Sequence, residues 1–141
     1  MLITHELVID APVDRVWALT LDIEAWPATT PTITDVHRDD QGPLRKGSTA
    51  RLKQPGQPVR TWTVIDVQPS SLFSWQTRAM GMTMLATHRL TSHDSKTRNT
   101  LTLELTGATA GVLGPLLRKK LLATIATENE GFRRAAETVR H

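Results

Sequence analysis

The chain has 141 residues, a formal net charge of +3 and a hydrophobic fraction of 39%. That length predicts a single domain over residues 1–141, with a core large enough to need no covalent staples. With no cysteine, disulfides, thiolate metal sites and a cysteine nucleophile are excluded, and a cytoplasmic location fits.

Met1-Leu2-Ile3-Thr4-His5 has neither a basic n-region nor a long apolar h-region, so no signal peptide is expected. A strand is predicted over Leu2 to Asp10. Asp10-Ala11-Pro12-Val13-Asp14 then opens a helix, with Pro12 in its first turn and Asp14 facing the positive helix end. Val13, Val16, Trp17 and Leu21 recur at helical spacing. Pro27 and Pro31 limit the next segment to a short second helix within Asp22 to Ala28.

Six strand-like segments come next: Thr32–Asp39, Ser48–Gln54, Val59–Gln68, Ser71–Ala79, Thr83–Ser92 and Arg98–Thr106. Short turn signals separate them, among them Pro55-Gly56, Pro69-Ser70 and Met80-Gly81, which implies an antiparallel meander. Leu101, Leu103 and Leu105 alternate with polar residues. Met82, Met84, Ala86, His88 and Leu90 alternate with Thr83, Leu85, Thr87 and Arg89, and such alternation gives each strand one buried face. The alternation around Trp62 is mixed.

Gly114-Pro115 introduces a long final helix, about Pro115 to Val139. Its stripe is Leu117, Leu121, Ile125, Phe132, Ala136 and Val139. Gly131 inside it costs about 1 kcal/mol relative to alanine. This is the one element long enough to cover the sheet, and a space between the two is the natural ligand site. The fold class is therefore α+β, a curved antiparallel sheet around a long C-terminal helix. No apolar run is long enough for a bilayer.

The wording of these segments resembles the polyketide cyclase/dehydrase and lipid-transport family of the START-like, helix-grip superfamily. The resemblance covers nearly the whole chain. It is carried by Ile9-Asp10-Ala11-Pro12-Val13-Asp14-Arg15-Val16-Trp17, Asp22-Ile23-Glu24-Ala25-Trp26-Pro27 and Gly42-Pro43-Leu44-Arg45-Lys46-Gly47-Ser48. Thr61-Trp62-Thr63-Val64, Phe73-Ser74-Trp75, His88-Arg89-Leu90, Gly114-Pro115-Leu116 and Glu130-Gly131-Phe132-Arg133-Arg134-Ala135-Ala136-Glu137 complete it. It implies a helix-grip fold with an internal cavity. It implies no single activity, because the superfamily holds binders, carriers and enzymes.

Two titratable residues fall on inward faces. His88 shares its strand face with Met82, Met84 and Leu90. There it would be a general acid/base or orient a ligand carbonyl, although such a histidine is more often satisfied core. Glu128 lies between Ile125 and Phe132 by helical angle and would accept a ligand hydroxyl or pair with an inward cation. The simpler alternative lets it snorkel to the rim. Thr124, one turn earlier, is a weaker polar contact. Trp17, Trp26, Trp62 and Trp75, completed by Phe73 and Phe132, offer flat apolar wall, with Phe73 and Trp75 the first choices; Met82 and Met84 offer adaptable filling, alongside Leu117, Leu121 and Ile125. Any of these is also ordinary core.

His5, His37, His93 and His141 are isolated or terminal, so no metal site is expected. No G-x-S-x-G, Walker A or Rossmann fingerprint calls for a cofactor. Arg118-Lys119-Lys120 and Arg133-Arg134 read as a solvated helix face diluted by Glu128, Glu130 and Glu137. The aromatics are too few and too distant for a nucleic-acid platform. The expected function is binding or carriage of a small hydrophobic molecule (a lipid, polyketide or aromatic metabolite) by a monomer or weak homodimer without integral membrane association. The alternative is a polyketide cyclase or dehydratase using His88 and Glu128.

Overall fold

The sequence pattern folds into seven strands and three helices in a computed structural model that describes residues 1–138. Val139 and His141 lie outside the described residues. Strand β1 (Leu2–Ile9) is followed by α1 (Val13–Leu21), a 3-10 turn (Ile23–Ala25) and α2 (Trp26–Thr29). Then come β2 (Asp35–Arg38), β3 (Thr49–Lys53), β4 (Arg60–Gln68), β5 (Leu72–Ala79), β6 (Met82–His93) and β7 (Lys96–Thr106). The chain continues into α3 (Ala110–Glu137). All strands pair antiparallel in the order β1-β7-β6-β5-β4-β3-β2, with α3 packed across the sheet on β1 and β7. No helix among the described residues is long and apolar enough to cross a membrane.

Three expectations need correction. Strand β2 is shorter than Thr32–Asp39, because Pro31 and the turn after it leave Thr32 outside the ladder. Helix α1 begins just after Pro12, which holds φ −68° at the cap rather than inside the first turn. Helix α3 begins at Ala110, not Pro115. Pro115 has no N–H to offer the Gly111 carbonyl, but Gly111 is exposed and water can satisfy it.

The mixed alternation of β4 has a local cause. Its register with β5 shifts between Val64 and Asp66, so Ile65 is an extra residue. A bulge of this kind resets the inward parity. Trp62 and Val64 are buried before it, and Val67 packs on the core after it.

The core falls into two clusters. One joins Val16, Ile23, Trp26, Trp62, Phe73, Trp75, Leu90 and Phe132. The other joins Ile3, Met82, Leu101, Leu103, Leu105, Ala110 and Ile125. Burying Phe132 on α3 contributes about 1.5–3 kcal/mol. Polar bonds also fix α3 against the sheet. Asn99 Nδ2 donates to Asn129 Oδ1 (2.9 Å), and Asn129 Nδ2 donates to the Asn99 carbonyl (3.1 Å). The same amide reaches His5 Nδ1 at 3.0 Å and the His5 carbonyl at 3.3 Å. His5 is therefore not isolated. It ties β1 to the helix, and its Nδ1 must be the acceptor. His5→Ala should cost about 1 kcal/mol, read as a lower urea midpoint at unchanged m-value.

Candidate ligand-binding cavity

The two core clusters do not meet everywhere, and a two-part cavity opens between them. The outer chamber, about 240 Å³, lies under the β3–β4 loop (Gln54, Pro55, Gln57) and the β5–β6 turn (Met80). Arg60, Trp62 and Thr77 line its sheet side, and Leu117, Lys120, Leu121 and Thr124 line its helix side. The inner chamber, about 70 Å³, is bounded by Trp26, Ile33, Leu52, Trp75, Ala86, His88, Leu103, Ile125 and Glu128. Gln54, Trp62, Met84, Leu121 and Thr124 line both chambers, so they share a wall. A third hollow of about 460 Å³ has more volume. It is an open depression on the outer face of β4 and β5, lined by Thr61, Thr63, Gln76 and Arg78, and it has no enclosing wall.

Helical and strand periodicity deliver these side chains. Leu117, Leu121, Thr124, Ile125 and Glu128 recur at three- and four-residue steps along one face of α3. Met84, Ala86 and His88 follow the two-residue period of β6, opposite Thr77, Trp75 and Phe73 of β5.

Of the residues singled out in the sequence, Trp62, Met84, Leu121 and Thr124 line both chambers. Trp75, His88, Ile125 and Glu128 line the inner one, and Leu117 the outer one. Phe73 and Met82 border neither. They are fully packed core behind the wall. Trp26, one of the four tryptophans read as wall or core, lines the inner chamber. Thr32, Ile33, Gln54 and Arg60 also line the cavity, and sequence reasoning misses them. The β3–β4 loop gave no signal beyond its turn residues.

His88 sits in an aromatic cage. Its ring centroid is 5.3 Å from Trp26, 5.6 Å from Phe132 and 5.8 Å from Phe73. Its Nδ1 is buried with no hydrogen-bond partner. Burial pushes its pKa down to about 4, so the ring is neutral at physiological pH. Among the described residues no carboxylate or carbonyl orients it as a base needs. Glu128 moves the other way. Burial pushes its pKa up to about 7, against an opposing hydrogen bond from the Thr32 side chain. Near neutral pH this carboxyl can therefore either donate or accept a proton. Trp62 adds a second buried polar atom without a partner, the Nε1–H. Thr124 donates to the Lys120 carbonyl at 3.0 Å, which leaves its oxygen free to accept. Among the described residues no three His, Asp or Glu side chains come together as a metal site.

The arrangement is an apolar slot with a basic entrance at Arg60 and Lys120 and one titrating carboxyl at its deep end. A family model described as polyketide cyclase/dehydrase and lipid transport matches residues 2–137. No curated protein sequence matches the chain. Among solved structures, the START superfamily protein from Mycobacterium smegmatis superposes with a TM-score of 0.78 at 16% identity, covering 99% of each chain. The Zhui aromatase/cyclase from Streptomyces sp. R1128 gives 0.73 at 20% identity, covering 97% of this chain and 93% of that one. Norcoclaurine synthase from Thalictrum flavum, solved with dopamine and hydroxybenzaldehyde, gives 0.74 at 16% identity, covering 100% and 89%. At these identities the likeness is one of fold.

Proposed function

Since this chain belongs to the polyketide cyclase/dehydrase and lipid-transport family, we propose that it binds a small, largely apolar molecule in the two-chamber cavity, with a polar group of that molecule directed at Glu128. The observation that carries this reading is the deep carboxyl. It faces an apolar chamber and has no ion-pair partner among the described residues. A covered carboxyl with little beyond the Thr32 bond to satisfy it is costly. A ligand hydroxyl or carbonyl would supply a further bond, and the Trp62 Nε1–H offers a second one nearby. Leu117, Leu121, Ile125, Met84 and Trp75 give the apolar contact. The inner chamber has room for only about two waters' volume, at about 30 Å³ each. It suits the polar tip of a ligand whose body fills the outer chamber.

Acid/base catalysis of the cyclase or dehydratase type is the second reading, and Glu128 favours it. A carboxyl titrating near neutral pH is suited to general acid/base work. In that reading Glu128 is the working group and His88 a neutral hydrogen-bonding partner.

Binding is tested with an environment-sensitive apolar fluorophore such as anilinonaphthalene sulfonate. The wild type should bind it with a saturable rise in emission. Leu121→Trp fills the wall common to both chambers and should weaken binding about tenfold or more with an unchanged melting temperature. Trp75→Ala is a poorer probe. Trp75 is within 5.2–5.3 Å of Trp26, Trp62 and Phe73, so its loss would damage the core as well. Saturable binding that Leu121→Trp leaves intact would place the ligand elsewhere.

A further inference from the structure

The entrance end of the molecule differs from the rest of its surface. The β5–β6 turn, the start of β4 and the first turns of α3 all meet there. Val59 is 59% exposed, Met80 51%, Val112 70% and Leu116 75%. Single exposed apolar side chains are ordinary, but a cluster around a cavity mouth is not. Its geometry is held in place. Met80 takes a left-handed conformation (φ 55°), one that glycine or asparagine fills at lower cost. The Thr109 hydroxyl, at the start of α3, donates to the Met80 carbonyl at 2.6 Å, and the Thr109 carbonyl accepts from the Val112 N–H at 3.1 Å. The strained turn that projects Met80 is thereby pinned beside the exposed face of α3. Val112 and Leu116 are one turn apart on that face.

Cations without nearby acids also gather at this end. Arg60, Arg78, Arg118, Lys119 and Lys120 surround this end, and none has an acidic partner among the described residues. From Ala110 to Thr127, α3 carries no acid at all. The opposite end, by contrast, mixes its charges: Asp10, Asp14, Asp66, Asp94 and Glu137 stand there beside Arg15, Lys96, Arg98 and Arg133. A cationic helix face alone would be a solvated surface. A cationic end that also carries protruding Val, Leu and Met side chains suits an interface with an anionic surface and an apolar layer beneath it.

We infer that the cavity mouth docks reversibly on an anionic lipid bilayer, with Met80, Val112 and Leu116 entering the headgroup region and Arg118 and Lys119 facing lipid phosphates. The cavity then opens toward the layer in which apolar ligands dissolve. The docking surface does not depend on the cavity reading, and its test does not use it.

Co-sedimentation with vesicles of phosphatidylcholine alone, and of phosphatidylcholine with 30% phosphatidylglycerol, tests the inference. Binding should appear on the anionic vesicles and fall steeply between 0.05 and 0.5 M salt. Each surface cation contributes about fivefold to such partitioning. Arg118→Glu/Lys119→Glu should therefore weaken it well over tenfold, and Leu116→Ser/Val112→Ser several-fold at the same charge. All four residues are exposed, so the circular dichroism spectrum and the melting temperature should match the wild type and report an intact fold. The inference is overturned by absence of binding to anionic vesicles at low salt, or by equal binding to neutral ones. Retention on vesicles by the charge-reversed protein overturns it too. A protein that ignores vesicles yet is retained, through Arg118 and Lys119, on immobilised polyglutamate would carry a patch for an acidic protein instead.

Discussion

Gly131→Ala should lower the melting temperature by about 10 °C, although alanine is the better helix former by about 1 kcal/mol. A Cβ on Gly131 would collide with the Thr29 carbonyl oxygen and come within 3.3 Å of Thr30 Cβ. The first obstacle is backbone at the end of α2, so no rotamer change relieves it. Either α2 moves off α3 or α3 bows. Overpacking of this kind costs about 1–3 kcal/mol and at times more. At this chain length, about 3 kcal/mol corresponds to roughly 10 °C. The damage should also reach the cavity. Helix α2 carries Trp26, whose ring stands 5.3 Å from His88 and 5.2 Å from Trp75 and closes the inner chamber. Thermal unfolding by circular dichroism reads the stability, and tryptophan emission reads the displaced ring. An unchanged or higher melting temperature would mean that α2 is not held against α3 as described.

That glycine marks the limit of what the sequence alone conveys. Helix propensity gave Gly131 a cost, whereas its value lies in letting two distant backbones approach, which no local pattern encodes. Legibility was high wherever periodicity governs. The two-residue period placed Met84, Ala86 and His88 on one face of β6. The helical period placed Leu117, Leu121, Ile125 and Glu128 on one face of α3. Both faces do line the cavity. Periodicity separates inside from outside but not wall from core. Phe73 and Met82 point inward like their neighbours but are packed within the core clusters and line neither chamber. The bulge at Ile65 hid the inward set of β4, because one inserted residue breaks a two-residue rule. Gln54 reaches the entrance from a loop, where side-chain direction follows no period. His5 gave no sign of its bond to Asn129, which joins residues 124 positions apart. Pro115 suggested a helix start, but one missing bond near a solvated end does not stop a helix with a good apolar stripe.

Glu128→Gln should make the protein more stable than the wild type above pH 7, by up to about 3 kcal/mol, and should expose a pH dependence that the wild type largely conceals. The carboxyl has a folded pKa of about 7 against an ordinary 4.5. Between those values the folded state holds a proton that the unfolded state has released. Stability therefore falls as pH rises through this window, and the deficit is complete above about pH 7. One pKa unit is about 1.4 kcal/mol, which sets the scale of the effect. His88 works in the opposite sense. Its folded pKa is about 4 against an ordinary 6.5, so the unfolded state binds the extra proton. Its contribution improves as pH rises from about 4 to 6.5. The two windows overlap and the two shifts are similar in size, so from these groups the wild type should show a nearly flat profile between about pH 4 and 8. Glutamine keeps the shape of Glu128 and removes its charge, leaving the histidine slope by itself. Urea unfolding at unit pH intervals should then show the variant rising by about 3 kcal/mol from pH 4 to 7 while the wild type changes little. His88→Phe should give the mirror image, falling over the same range. If Glu128→Gln is no more stable than the wild type at pH 8, the carboxyl is solvated when ionised. The cavity would then lack the neutral deep end on which the reading of its ligand depends.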